Sequence, residues 1–336
     1  MSKIFEYIIF DQAHKSKTNG IVDGILESIS NNDLSKGEQL PSVNKFIKKL
    51  GVARMTVVKA LNILKERGII VSEDKIGYYV RDIRVKRELK VFLFLTGFHS
   101  YHETLYNNII ERINAQDITI DLYFHHGNPK IFKSVLHENI GSYGLYVITG
   151  FDDVLVKTAL SHIPPKKLLQ IIRPPLIEGV PSITQDFYIG LKKSLDVLKG
   201  RLLTYKRFIL VFPSRKGHPE EIKVAFTEFC SENGIEYQIE KKVTRDLITK
   251  GTAFWVIEDC DLISLIKMGE DLQLKLGSEL GILSYNETPM KEIIRNGITV
   301  VSIDFAMMGQ SISRFINHPK QTFEVFAPNV IIRNSL

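Results

Sequence analysis

Cysteine is nearly missing from this chain. Cys230 and Cys260 are the two in 336 residues, and their separation matches no metal or redox spacing, so both read as free, packed thiols. Long apolar runs are missing as well: none approaches the roughly 18 to 20 uncharged residues that a membrane helix needs. Met1 to Phe10 has neither the basic start nor the cleavage site of a signal peptide, which predicts a cytoplasmic protein with no membrane partner. Short repeats and low-complexity tracts are absent. So are G-x-S-x-G, paired catalytic carboxylates and a nucleophile sharing a motif with its base. No enzyme, no metal and no cofactor are therefore expected. With 44% apolar and 24% charged residues the composition is that of an ordinary globular protein, long enough for two or three domains.

What is present is unevenly spread. Residues 1–88 carry 16 Lys plus Arg against 11 Asp plus Glu, whereas residues 89–336 carry 28 against 27. That asymmetry predicts an N-terminal module for a polyanion, joined to a neutral domain with another task. Within the basic quarter, Ile21, Ile25, Leu26 and Ile29 recur at helical spacing. A second helix opens after Pro41 with Ser42 as N-cap, burying Val43, Phe46, Ile47 and Leu50 until Gly51 stops it. A third runs from Arg54 to Arg67 with Val57, Ala60, Leu61 and Leu64 inward. Ile69 to Val71 and Tyr78 to Val80 flank a turn, a small hairpin. Three helices and a hairpin in about 65 residues make a winged helix-turn-helix, here assigned to residues 1–83.

The third helix supplies a mechanism for binding DNA. With its apolar stripe inward, Arg54, Val58, Asn62 and Lys65 line the opposite face, flanked by Met55 and Lys59. Such a helix suits the major groove, where Arg54 can pair with guanine and Val58 can touch a thymine methyl. Lys45, Lys48 and Lys49 on the second helix, and Lys75 in the wing, would neutralise phosphates.

LPSVNKFIKKLGVARMTVVKALNILKERGII followed by KIGYYV resembles the winged helix of GntR-family transcriptional regulators, whose pattern is LPSER, LGVSRxTVRxALxxLxxxGLI and a glycine-containing wing. The resemblance spans residues 18–82 and implies DNA contacts at Arg54, Thr56 and Gly77. Three positions depart from the pattern: Asn44 replaces the arginine of LPSER, Val58 the second arginine of the third helix, and Ala53 the capping serine. A different operator is therefore expected, with Lys59 compensating in part. The DNA-facing set is Ser42, Asn44, Lys45, Arg54, Met55, Thr56, Val58, Lys59, Lys75 and Gly77.

Charge without apolar periodicity marks residues 84–90 as a linker. Beyond it short apolar runs alternate with helical stretches from Val91 to Ile303, the pattern of α/β subdomains with parallel sheets. Gln185-Asp186-Phe187, Ser284 to Pro289, and Ile298 to Gly309 before a last strand at Ala327 to Arg333 resemble, in order and spacing, the sensor of LacI/GalR-type regulators, itself similar to periplasmic sugar-binding proteins. That resemblance covers residues 89–336, and the sensor domain is assigned to residues 91–336. It implies two doubly wound α/β subdomains joined by crossovers near 186, 304 and 328, and a sugar effector.

Ligands in such folds sit at the carboxyl ends of strands. The residues there with acceptors for hydroxyls or flat apolar faces are Phe98, His99, Phe151, Asp152, Asp186, Phe187, Arg215, Glu258, Asp259, Asn286 and Asp304. His99-x-x-His102 has metal spacing but no third ligand nearby, His125-His126 reads as a turn, and Pro213 to His218 lacks the P-loop spacing while leaving Arg215 or Lys216 open to a sugar phosphate. The sum is a dimeric regulator that binds double-stranded operator DNA and senses a monosaccharide or sugar phosphate. The runner-up is a sugar or phosphosugar enzyme with a DNA-binding head.

Overall fold

The computed structural model describes residues 3–10, 16–73, 76–81, 89–97, 99–114, 117–213 and 218–336. Lys75, Phe98, Arg215, Lys216 and residues 84–88 of the expected linker lie outside the described residues. The chain divides into two compact units: a head, residues 1–89 with 139–144, and a larger unit formed by the rest.

In the head a short helix α1 (Ile4–Tyr7) precedes α2 (Lys17–Ser30), α3 (Val43–Leu50) and α4 (Arg54–Glu66), and β1 (Ile70–Glu73) pairs antiparallel with β2 (Gly77–Val80). Ser16 caps α2 and Ser42 caps α3, whereas Ala53 begins α4 with no side-chain cap. Gly51 ends α3 at φ +63°, a left-handed turn that favours glycine. The core collects Ile21, Ile25, Phe46, Val57, Leu61 and Leu64. Each is worth about 1.5–3 kcal/mol on burial. Helix α1 has no counterpart in the sequence reading; it adds buried Ile4 and sets Phe5 edge-on to Phe46 at 5.3 Å. Four residues carry too little periodicity to announce a helix.

The larger unit holds two six-stranded sheets. In the first, β3 (Leu89–Leu95), β4 (Ile118–Phe124), β5 (Leu145–Ile148), β6 (Leu168–Ile172) and β7 (Ser182–Gln185) alternate with α5 (Ser100–Ile110), α6 (Pro129–Asn139) and α7 (Val154–Leu160). The chain then runs through α8 (Ile189–Leu202) into the second sheet. There β8 (Arg207–Val211), β9 (Glu236–Glu240), β10 (Thr252–Val256), β11 (Leu280–Tyr285) and β12 (Thr299–Ser302) alternate with α9 (Glu221–Glu232), α10 (Asp259–Asp271) and α11 (Pro289–Ile293). Helix α12 (Phe305–Asn317) returns to pack on α5, β13 (Phe323–Phe326) joins the first sheet, and β14 (Asn329–Ile331) closes the second. The strand orders are β13-β7-β6-β5-β3-β4 and β14-β12-β11-β10-β8-β9.

Three crossings follow from that order, after Gln185, after Ser302 and between Phe326 and Asn329. Strands β10 and β11 are buried along their whole length, as a sheet covered on both faces requires. Two strands escape the apolar pattern. Strand β7, Ser-Ile-Thr-Gln, is wholly buried although three of its four side chains are polar, because it lies between β6 and β13. The last strand expected at 327–333 is β14, and just before it the structure adds β13, a strand not expected from the sequence, which joins the other sheet.

Candidate functional site

The first site is the outer face of α4. Arg54, Met55 and Lys59 are exposed, Met55 to 75%, while Thr56 and Val58 are half-buried. Arg54 Nη1 points to Asn44 Oδ1 at 3.5 Å, so the first turn of α4 and α3 present adjoining polar groups. Among the described residues no ion pair engages Lys45, Lys48, Lys49, Arg54 or Lys59, which leaves these cations available to phosphates. Lys65 is committed elsewhere: its Nζ donates to Ser72 Oγ at 2.8 Å and ties α4 to the hairpin. Gly77 takes φ +142°, and a Cβ there would stand 2.9 Å from Gln39 Nε2, which itself donates to Ile76 O at 2.9 Å. Gln39 thus braces the start of β2, a role its sequence neighbourhood does not announce.

The second site is a cavity of about 230 Å³ between the two sheets of the larger unit. It is built from strand ends: Thr96 and Gly97 follow β3, His126 follows β4, Arg173 follows β6, Glu258 follows β10, and Tyr285 with Asn286 ends β11. Gln185 ends β7, and Tyr285 Oη donates to its Oε1 at 3.4 Å, a link from one sheet to the other across the floor. Tyr101, in the first turn of α5, stacks on Phe305 of α12 at 4.7 Å.

Hydrogen bonds define which cleft atoms can meet a ligand. His102 Nδ1 lies 2.8 Å from Gly97 O, and a carbonyl only accepts, so Nδ1 carries the hydrogen. Burial lowers the His102 pKa to about 4, so near neutral pH the ring is uncharged and Nε2 is an acceptor. His125 is likewise held to a pKa of about 4 by burial, but both nitrogens are used: Nε2 donates to Thr149 O at 2.9 Å and Nδ1 accepts from Gly127 N–H at 3.1 Å. It shapes the β4 loop and leaves the neighbouring His126 to line the cleft. His218 Nε2 sits 3.0 Å from Glu258 Oε1. Asn286 Oδ1 is buried without a hydrogen-bond partner among the described residues, so it is an acceptor in waiting. Lys291, 2% exposed, fixes this wall from behind: its Nζ donates to Tyr285 O at 2.9 Å and Asn286 O at 2.8 Å and pairs with Asp259 at 2.9 Å. Desolvation lowers its pKa.

Residues 17–80 match the family of bacterial regulatory proteins, gntR family. The head is a GntR-type winged helix. The mannosyl-D-glycerate transport/metabolism system repressor MngR of Escherichia coli (strain K12) is 36% identical over 76 residues, which are 23% of this chain and 32% of that protein. The chain thus matches about a third of that relative's length. The larger unit has the fold of LacI-family regulators. A LacI family transcriptional regulator from Lactobacillus casei, solved with bound sucrose, superposes with a TM-score of 0.62 at 13% identity, over 74% of this chain and 99% of that one. The trehalose repressor from Escherichia coli superposes with a TM-score of 0.61 at 14% identity, over 73% and 100%.

Of the GntR head's expected contacts, all but Lys75 are described, and Ser42 spends its hydroxyl as a helix cap, accepting from Lys45 N–H at 3.3 Å. Of the expected effector contacts, His99, Phe187, Glu258 and Asn286 line the cleft. Five others stand elsewhere. Asp186 accepts from the N–H groups of Tyr188 at 3.0 Å and Gly190 at 2.9 Å, and Asp304 accepts from Met307 N–H at 2.8 Å, so both carboxylates cap helix starts. Asp152 pairs with Lys157 at 2.6 Å, Asp259 pairs with Lys291, and Phe151 packs in the core against His125 at 5.2 Å. Sequence reasoning misses Arg173, Gln185 and Tyr285. Arg173 has a usable signal, since it follows an apolar strand and precedes Pro174-Pro175, a pattern that ends a strand and starts a loop.

Proposed function

We propose that this protein is a ligand-responsive transcriptional regulator, acting as a homodimer in the cytoplasm, whose GntR-type head binds operator DNA and whose cleft takes a monosaccharide or sugar phosphate. The observation that carries this reading is the presence, in one chain, of a basic helix face free of ion pairs among the described residues and a cavity floored by aromatic rings and neutral acceptors. At about 230 Å³ the cavity falls below the roughly 300–1,000 Å³ of drug-sized sites, which favours a small polyol. The repressor relative named for a mannosyl-D-glycerate system and the fold relative solved with sucrose support a carbohydrate effector. Ligand in the cleft would bias the angle between the two subdomains, and two heads in a dimer would read half-sites at a spacing set by that geometry. Because coupling is reciprocal, DNA must change effector affinity by the factor by which effector changes DNA affinity.

A thermal-shift screen of the full chain against monosaccharides and their phosphates tests the proposal. A ligand at 100 times its dissociation constant adds about 2.7 kcal/mol to stability. The hit should then change operator affinity in an anisotropy titration while being recovered chemically intact. A hit that is turned over would show an enzyme instead, and one that leaves operator affinity untouched would show a regulator deaf to its cleft.

A further inference from the structure

The chain leaves the end of β6 in an unusual way. Arg173 N–H donates to Ile171 O at 2.7 Å, which closes a three-residue turn, and the residue at its centre, Ile172, takes φ +69°. This is the rarer and more strained of the two γ-turns, whose central residue sits near φ of about +75°. A β-branched residue there is a true backbone outlier, and such strain gathers at ligand sites. Asn286 at φ +60° and His126 at φ +51° also line the cavity, so three non-glycine residues of the cleft wall hold positive φ. The consequence of the Ile172 turn is that Arg173 lines the cleft.

No counter-ion among the described residues accompanies Arg173 there. Among the described residues it makes no ion pair; its guanidinium carbon lies over the face of Phe187, 5.8 Å from the ring centroid, and Glu221 acts on it only through space. Glu258, the one carboxylate of the cavity lining among the described residues, is engaged with His218. Desolvation is the leading influence on the guanidinium and disfavours its charge, yet an arginine side chain stays protonated. A neutral hydroxyl could accept from its N–H groups but would leave the charge uncompensated. A planar oxyanion satisfies both, through two parallel hydrogen bonds to the guanidinium fork.

We propose that the effector carries an oxyanion, a phosphate or carboxylate on its carbohydrate frame, and that Arg173 is the group that binds it. The carbohydrate part of this statement rests on the function proposed above; the oxyanion part rests on Arg173 alone. His102 Nε2 and Asn286 Oδ1 are then the acceptors left for the hydroxyls of the same molecule.

Matched probes on the full chain decide the matter: glucose, galactose, mannose and fructose, their 6-phosphates, glucuronate and galacturonate, and citrate as a charged compound without a sugar. Melting temperatures are read for the wild type, Arg173→Gln and Arg173→Lys, with calorimetry on each hit. A 6-phosphate or a uronate should raise the wild-type melting temperature well above the effect of its parent sugar, and which of the two does so names the oxyanion. Arg173→Gln should lose about ten- to hundredfold in affinity for that probe, and Arg173→Lys, which keeps the charge but not the fork, should recover part. Without ligand, Arg173→Gln should melt no lower than the wild type, since it removes a desolvated charge; a marked fall would make Arg173 a structural residue and overturn the proposal. Neutral sugars stabilising wild type and Arg173→Gln alike would overturn the oxyanion and keep the carbohydrate. Stabilisation by citrate that depends on Arg173, with none by any sugar derivative, would keep the oxyanion and overturn the carbohydrate. Silence across the panel overturns both.

Discussion

At the scale of single residues, the same side-chain chemistry serves different ends according to where its hydrogen bonds go. Arg54 is exposed at the first turn of α4 and Lys48 sits on α3, both without ion pairs among the described residues. Arg54→Ala should therefore cost about 1–3 kcal/mol on the cognate operator and relax specificity at one base pair, whereas Lys48→Ala should weaken all DNA alike. Titrations on cognate and scrambled duplexes check this; equal losses for Arg54→Ala on both would remove its base-reading role. Asp304 gives the opposite lesson. Its carboxylate caps α12 through Met307 N–H and is exposed outside the cavity lining. Asp304→Ala should cost about 1 kcal/mol of stability, with Asp304→Ser close to wild type. Effector affinity should not move in either variant, and calorimetry with the hit of the sugar screen would detect it if it did.

At the scale of elements, the cleft wall after β11 is held by a buried lysine. Lys291 donates to Tyr285 O and Asn286 O and pairs with Asp259. Replacing it with methionine keeps the volume but strands two carbonyls, each costing about 1–3 kcal/mol when buried and unpaired. Lys291→Met should lower the urea midpoint accordingly and weaken effector binding, because Asn286 loses its anchor. Trp255, fully buried on β10, lies 6.2 Å from Tyr285. Its fluorescence should therefore report movement of the same wall, and an unchanged emission spectrum on effector binding would show that the wall stays still.

For the whole molecule, two buried imidazoles should weaken stability in acid. His102 and His125 fall from an ordinary 6.5 to about 4 because burial disfavours their charged forms. The unfolded chain takes up protons near pH 6.5 while the folded protein refuses them until about pH 4, so their contribution is complete above 6.5 and disappears as the pH falls toward 4. Each ring accounts for up to about 3 kcal/mol across that window. Urea unfolding at pH 7 and pH 4.5 should show the loss, and His125→Gln, which has no proton to gain, should show a smaller one. An identical drop in the variant would place the acid sensitivity in other groups.

The sequence by itself determined the head almost completely and the rhythm of the larger unit. Helices α2 to α4 and the hairpin are contiguous, each announced by its own periodicity, cap or stop, and the outward face of α4 follows from 3.6 residues per turn once Val57, Leu61 and Leu64 are placed inside. Alternating strands and helices follow from equally local patterns. Only the tertiary structure decided the cleft, because its members come from strand ends spread between Thr96 and Asn286, and no local pattern says which of them converge. It also decided what each carboxylate does: Asp186 and Asp304 look like ligand contacts by position, but both oxygens of Asp186 and Oδ1 of Asp304 accept from N–H groups at the starts of α8 and α12. Strands β7 and β13 stayed hidden because strand formation there depends on the neighbours they pair with rather than on their own polar or mixed side chains. Arg173 stood in plain view after an apolar run, yet that it faces the cleft with no counter-ion among the described residues is a property of the fold, set by a strained turn that the sequence shows only as an isoleucine before an arginine and two prolines.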